Sequence, residues 1–406
     1  MKTQRPYPAL RVSAKGEHSI KNGHPWVYGE EIRAAEGEPE NGGLADVFAG
    51  NAWLGTGFYN DNSKITLRLI SRNANDRFDD AFWARRVGYA LSYRRTVMPG
   101  EDWRCCRLVH GEADQMPGLT VDRYSDLLSV QITSLGMERV RDRVLTALVE
   151  QLRDMGEEIH GVYLRNDIAL REREGMAQEK GWWDGAAHPD SAVTEITENG
   201  VRYLVDVENG QKTGFFLDQK YNRQAAARLA RGKRVLDCFT HTGSFGLNAA
   251  KAGAERVHSV DISAAAIEMA RANAVRNGLS NIDFETADVF ALLTRLSEAR
   301  CRDYDYIILD PPAFTKSWDT AQQAHRGYKE INLRAMKLLP RGGYLATCSC
   351  SHFMPQGDFR RMLREAARDA GVALRQIEAR QQSPDHPILW NVPETEYLKF
   401  YLFQVV

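Results

Sequence analysis

Two stretches of this chain pair a reactive side chain with a backbone that could present it. One is Asp310-Pro311-Pro312-Ala313-Phe314, which ends the apolar run Tyr306-Ile307-Ile308-Leu309. Two prolines fix the backbone after a buried strand. The Asp310 carboxylate then points into the cleft at the strand end. A planar amine or amidine edge, such as N3 and N4 of cytosine, is a natural partner for it. Phe314 could stack on such a ring, or simply pack. The other stretch is Gly342-Gly343-Tyr344-Leu345-Ala346-Thr347-Cys348-Ser349-Cys350-Ser351. Strand alternation puts Cys348 and Cys350 on one side if the strand persists. A thiolate can add to carbon-6 of a pyrimidine and make carbon-5 nucleophilic. A free thiol has a pKa near ~8.5, so such a site must lower it. Buried cysteine otherwise behaves as a small hydrophobe. Cys348 is read that way, and Cys350 as the nucleophile.

A third stretch, Arg234 to Asp261, reads as half of a nucleotide site. A short apolar strand runs into the turn Thr240-His241-Thr242-Gly243-Ser244-Phe245-Gly246. A helix follows, then a second strand that ends in Asp261. Glycines let a backbone approach a ligand closely, and an acid about twenty residues on can hold ribose hydroxyls. The turn lacks the G-x-G-x-x-G pattern and a P-loop lysine, so it offers no nest for a pyrophosphate. A nucleoside without phosphates is the better ligand, and S-adenosylmethionine fits. Asp288 follows a third strand and could accept the adenine amino group, with Val289 covering the ring. Both Asp261 and Asp288 could instead be helix N-caps. Asn209 to Gln219 carries glycines beside Lys212 and Thr213, then Phe215-Phe216. It reads as a loop closing over a cofactor, or as a hairpin packed on the sheet.

The elements that must position these residues alternate strand and helix from about residue 192 onward, the sign of a parallel sheet with helices on both faces. Strands are expected at 234–237, 257–261, 282–285, 306–310, 344–347, 374–378 and 399–405. Residues 1–72 read as a small β-rich module with short runs such as Leu10-Arg11-Val12 and Ile65-Thr66-Leu67-Arg68-Leu69 between turns. Its most distinctive piece is His24-Pro25-Trp26-Val27-Tyr28, whose aromatics are either core or a stacking surface for bases. A helix at 76–98 buries Phe78, Phe82, Val87 and Leu91 and puts Arg85, Arg86, Arg94 and Arg95 on other faces, within reach of phosphates. Strands and a helix up to about 164 complete a central α+β unit within 73–190. Gly175 to Asp190 reads as a linker, and 191–406 as the Rossmann-like part.

The 406 residues suffice for two or three domains. Hydrophobic residues at 43% and charged residues at 26% describe an ordinary globular protein. No apolar run reaches membrane-spanning length, and Met1 to Leu10 lack the apolar core of a signal peptide. A cytoplasmic location and no membrane partner are therefore expected. The six cysteines form no C-x-x-C pair, which argues against zinc and against a disulfide framework, and no metal is expected. A formal net charge of −1 neither demands nor excludes nucleic acid.

Taken together, these residues resemble the RlmI family of S-adenosylmethionine-dependent large-subunit rRNA cytosine-carbon-5 methyltransferases. His24-Pro25-Trp26-Val27 resembles the opening of that family's N-terminal PUA domain, an RNA-binding barrel. Gly118 to Tyr124 resembles its central domain. Lys212 to Gln219, Asp310 to Phe314, Arg326 to Asn332, Ser349-Cys350-Ser351 and Asp385-His386-Pro387 resemble its methyltransferase motifs. The resemblance implies an α/β class I methyltransferase domain, Rossmann-like, after a small PUA barrel and a small α+β domain. It implies S-adenosylmethionine as cofactor and large-subunit rRNA as partner, and it admits a homodimer. It implies Cys350 as nucleophile, with Asp310 beside it. The expected cofactor contacts are Lys212, Thr213, Phe215, Asp237, Phe239, Thr242, Gly243, Asp261, Ile262, Asp288, Val289 and Asp310. Pro311, Pro312 and Phe314 are expected at the target base. Many such enzymes carry a second cysteine just after the D-P-P, and here that place is Ala313. The base that removes the carbon-5 proton stays open among Cys348, Asp310, Lys212 and water. Two other readings are a base-nitrogen methyltransferase and a non-catalytic RNA-binding or ribosome-assembly protein on the same fold.

Overall fold

The computed structural model describes residues 6–315 and 317–406. By its internal contacts the chain divides into two compact units. The first runs to Ile196 and takes in Val205–Leu217 and Pro384–Thr395. The second comprises Thr197–Leu204, Asp218–Ser383 and Glu396–Val406.

The second unit is built on one seven-stranded sheet. Its strands are Arg234–Cys238 (β1), Arg256–Asp261 (β2), Ile282–Thr286 (β3), Tyr306–Leu309 (β4), Tyr344–Ser349 (β5), Leu374–Arg380 (β6) and Lys399–Val405 (β7). Each lies where the apolar runs place it, with small shifts at the ends. The spatial order is β3-β2-β1-β4-β5-β7-β6. The first five pair in parallel, and β7 runs antiparallel to both β5 and β6. All four residues of β4 are fully buried, as a continuous apolar run requires when helices cover both faces. The strand order reverses between β1 and β4, so their carboxyl ends diverge and leave a crevice for a ligand. Asp237, Asp261, Asp310 and Cys350 lie at or just beyond these carboxyl ends.

The first unit holds two sheets. A six-stranded sheet orders Trp26–Tyr28, Ile65–Ser71, Ala52–Tyr59, Leu44–Ala49, Ala9–Val12 and Ile32–Glu36. Val27 enters its core with Leu10, Val47 and Leu67, whereas Trp26 and Tyr28 alternate to the other face and stay half-buried. The Trp26 indole donates to Glu112 at 3.0 Å. A five-stranded sheet orders Glu179–Trp182, Gly161–Asn166, Leu127–Ile132, Leu119–Tyr124 and Cys105–His110.

Two expectations change here. Gly175 to Asp190 is not a linker: Glu179–Trp182 pairs antiparallel with Gly161–Asn166 as an edge strand, and Trp182 packs on Tyr163 with ring centroids 4.9 Å apart. Four residues are too few to show an alternation in sequence. The helix Asp80–Val97 does not offer all four arginines to solvent. Arg94 is fully buried, seven residues after Val87 and three after Leu91, on the apolar stripe itself. Its guanidinium meets Asp114 at 2.7 Å and the Arg107 carbonyl at 2.9 Å.

Gly246 sets how closely the helix Ser244–Lys251 lies on β1 and β2. A Cβ there would stand 2.2 Å from the Ser259 hydroxyl and 2.7 Å from an Asp237 carboxylate oxygen. Gly246→Ala is expected to destabilise the protein by about 1–3 kcal/mol, through overpacking. The check is thermal unfolding. An unchanged midpoint would show that the helix can move off the sheet.

Candidate active site

The turn after β1 is held by a buried carboxylate. Asp237 is fully buried, and one of its oxygens accepts from the Thr240 hydroxyl, the Gly246 N–H at 2.8 Å and the Ser259 hydroxyl at 3.1 Å. Burial nevertheless pushes its pKa up to about 6, against the pull of those donors. Its other oxygen, and the Thr242 hydroxyl, are buried with no hydrogen-bond partner among the described residues. Phe239 and His241 both take positive φ, at 63° and 51°, so the turn is tight and strained. The His241 N–H donates to Asp261 at 2.9 Å, and the second Asp261 oxygen accepts from Ser263 N–H at 2.9 Å. Asp261 therefore ties the turn to the end of β2. Gly243, at φ 87°, turns the chain into the helix. Ile262 stands 70% exposed immediately after Asp261.

At the third strand end the structure shows the helix N-cap that the sequence left open for Asp288. Asp288 is exposed and caps the helix Val289–Glu298 by accepting from Ala291 N–H at 2.8 Å. Val289 is 2% exposed and belongs to the hydrophobic core. As the first residue of an amphipathic helix it faces the sheet, so it does not stand open to cover a ring.

Asp310 closes β4 with its carboxylate engaged. It accepts from the Gln219 amide at 2.9 Å, and that amide's oxygen accepts from Asn222 at 2.6 Å. The buried Cys348 thiol lies close enough for the two groups to shift each other's ionisation. Desolvation, helped by the neighbouring charge of Asp218, raises Asp310 to about 7. Cys348 is fully buried, and burial with the Asp310 charge holds its thiol well above the ordinary range. Cys350 lies one residue past β5 and keeps partial exposure. Pro311 is buried and Pro312 exposed. Phe314 packs among Tyr328, Phe290 and Phe239, with ring centroids at 4.6, 5.7 and 6.3 Å. Beside it opens a cavity of about 410 Å³, lined by Ala313, Phe314, Thr315, Ala324 and Gly327 among others.

Gln219 is a partner of Asp310 that sequence reasoning passed over, and Cys348, read there as a small hydrophobe, is its buried neighbour. Cys348 had a signal, its alternation with Cys350. Gln219 lay inside a motif read for its phenylalanines.

Lys212, Thr213 and Phe215 belong to the first unit. Lys212 is exposed at φ 57°. Thr213 is 3% exposed and donates to Asp122 at 2.5 Å. Phe215 is buried, and the Tyr124 hydroxyl bonds both its N–H and its carbonyl at 3.0 Å. The loop is thus strapped to the strand Leu119–Tyr124. Asp122 also takes the Arg107 guanidinium on both oxygens, at 2.7 and 2.8 Å.

A family model for S-adenosylmethionine-dependent methyltransferases matches residues 107–404. The chain belongs to that family. A second model, for PUA-like domains, matches residues 10–72. A relative from Aeromonas salmonicida, named ribosomal RNA large subunit methyltransferase I, is 41% identical over 94% of this chain and 96% of its own. One of the same name from Shewanella amazonensis is 39% identical over 96% of this chain and 98% of its own. These relatives bear out the resemblance read from the motifs. A solved chain from Streptococcus mutans matches with a TM-score of 0.80 at 20% identity, over 98% of this chain and all (100%) of that one. Another, solved in complex with SAH, matches with a TM-score of 0.81 at 20% identity and the same coverage. Both show the fold.

The residues of the second unit fit the cofactor of this methyltransferase family. Asp261 offers an acceptor at the end of β2, the exposed Ile262 offers an apolar cover, and the orphaned Thr242 hydroxyl and Asp237 oxygen offer polar contacts inside the turn. The carboxyls also make a pH-dependent contribution. A folded-state pKa of about 7 for Asp310 lies above the ordinary 3.8. The folded state therefore binds its proton more tightly, and ionisation costs stability as pH rises from about 4 to about 7. In Asp310→Asn that cost is absent. The variant's unfolding temperature, relative to the parent, is expected to climb between pH 4 and pH 7 and then level off. A pH-independent difference would show that Asp310 ionises normally.

Proposed function

We propose that this methyltransferase forms 5-methylcytosine in large-subunit rRNA. The observation that carries the reading is the pairing of Asp310, at the end of β4, with Cys350, part-exposed just past β5. The names of the full-length relatives support rRNA as substrate. The reading divides the chain into a PUA-like RNA-binding part (1–72), a central α+β part (73–190) and the methyltransferase part (191–406). Among the described residues no helix is long and apolar enough to cross a membrane. A cytoplasmic site of action fits an rRNA substrate. A homodimer stays an open proposal.

In this reading a cytosine is extruded from its stack into the crevice. Asp310 holds its polar edge, and a carboxyl poised near neutrality can donate to N3 or accept from N4. Pro311 and Pro312 set the direction of that carboxyl, and Phe314 acts as packing behind the motif. Cys350 sulfur bonds to carbon-6, and the ring electrons shift to carbon-5. S-adenosylmethionine, when bound, supplies an electrophilic methyl group. Loss of the carbon-5 proton and of the Cys350 sulfur restores the ring. Asp310, Lys212 and water are the candidates for taking that proton; Cys348, expected among them, is held as a neutral thiol by burial and cannot accept it. Asp237, Phe239, Thr242, Gly243, Asp261 and Ile262 would hold the cofactor, with Lys212, Thr213 and Phe215 as further contacts suggested by their motif. Asp288 would add an acceptor through its uncommitted oxygen, and Val289 would support it from the core.

Two measurements test the reading. Labelled S-adenosylmethionine and rRNA lacking its own modifications are expected to give 5-methylcytosine on nucleoside analysis. A methylated purine would instead favour base-nitrogen transfer. Cys350→Ala is expected to lose methylation by several orders of magnitude while still binding S-adenosylmethionine in a titration. Retained methylation would remove the covalent step.

A further inference from the structure

Lys399 opens β7 directly across from Ser349, the last residue of β5 and the neighbour of Cys350. The residue is only 4% exposed. Its ammonium donates to the Ser351 carbonyl at 2.6 Å and to the Tyr397 carbonyl at 2.7 Å. It therefore grips the chain on the far side of Cys350. Two backbone carbonyls do not need a cation, since a neutral amide would satisfy them without the cost of burying a charge. Cys350 and Glu396 both lie where a negative charge on either would favour the ammonium of Lys399. Burial lowers the lysine to about 8, which leaves it mostly protonated at neutral pH.

Among the described residues, Tyr328 and Cys348, whose ionisation is also tied to Cys350, supply no positive charge. Tyr328, from the helix Ala321–Leu338, feels both Cys350 and Asp310, and burial keeps it a neutral phenol. Cys348, on β5, is held as a neutral thiol. Asp310, next to Cys348, carries either no charge or a negative one. His352, two residues on, sets its ring against Tyr397 with centroids 5.6 Å apart.

We infer that Lys399 holds the Cys350 segment in place and keeps a positive charge beside its sulfur, so that the thiol ionises before attack. This rests on Cys350 being the nucleophile. Lys399 is a positioning residue, because it acts through Cys350. The proton leaves the Cys350 thiol for solvent, and the sulfur keeps the electron pair that later forms the bond to carbon-6. An opposite charge within about 4–6 Å commonly shifts ionisation by a unit or more.

The test is the pH dependence of Cys350 alkylation by iodoacetamide, read by mass spectrometry at that residue in the full chain. In the parent, the midpoint is expected below the ~8.5 of a free thiol. Lys399→Gln keeps donors for both carbonyls and removes the charge. Its Cys350 alkylation at pH 7 is expected to fall about tenfold, with the midpoint moved up. Lys399→Arg is expected to restore both. S-adenosylmethionine binding should be unchanged in each variant. A parental profile in folded Lys399→Gln would overturn the inference and leave a plain structural clip. If that variant does not fold, the parent decides alone: a midpoint at or above that of a free thiol overturns it. The Cys350→Ala experiment separates the underlying reading. A shifted profile with methylation retained in Cys350→Ala would leave the charge pairing real but remove its catalytic meaning.

Discussion

The cofactor end of the second unit depends on one buried anion. The Asp237 carboxylate collects a hydroxyl from the turn, an N–H from the following helix and a hydroxyl from the next strand. Three consecutive elements are thereby pinned at one point. The helix can come close enough to donate only because residue 246 has no side chain. Once the turn is fixed, the His241 N–H reaches Asp261, and the end of β2 is set in turn. Such a carboxylate is costly to desolvate and stays ionised only because several donors converge on it. The strain at Phe239 and His241 persists for the same reason, since the surrounding bonds over-determine the turn.

The antiparallel insertion of β7 between β5 and β6 has a comparable effect on the other side of the crevice. In an all-parallel sheet the neighbour of β5 would present its own carboxyl end beside Cys350. Here β7 runs the other way, so its first residue lies opposite the last of β5. That places the start of a strand, and a buried lysine, beside the loop that holds Cys350. Topology, rather than local sequence, determines which side chain neighbours the thiol.

Much of this was legible in the sequence, and the limits have physical causes. The interior strands β1, β4 and β5 announced themselves because strands covered on both faces read as apolar runs bounded by turns. Asp237, Asp261 and Asp310 were legible for a related reason: an acid at the end of an apolar strand is costly, so it stands out. The short edge strand Glu179–Trp182 was not legible, because pairing rather than composition makes it a strand. The burial of Arg94 was missed because a positive charge is ordinarily assigned to solvent. Only its counter-charge at Asp114, twenty residues away, makes the buried position tenable. Gln219 and Lys399 escaped for the same kind of reason. Each matters through a partner 91 or 48 residues distant, and no local pattern records such a pairing.

The two cysteines at the end of β5 show how one strand can set two chemistries. They are separated by one residue, and their types are identical. Cys348 lies inside the strand, fully buried, near the Asp310 carboxyl group. Burial and a neighbouring anion both oppose loss of its proton, so it stays a thiol. Cys350 lies past the last ladder bond, where the chain turns out toward solvent and toward the lysine of β7. In the proposal above, partial exposure and the ammonium of Lys399 favour the anion there. The same pair of forces, with opposite signs, separates Asp310 from an ordinary carboxylate. Its burial beside Asp218 keeps a proton within reach at neutral pH. A site that needs an acid near neutrality and a thiolate at the same pH must split two environments over a few ångströms. The end of a strand does this without further apparatus: the last ladder residue is desolvated and the next is not.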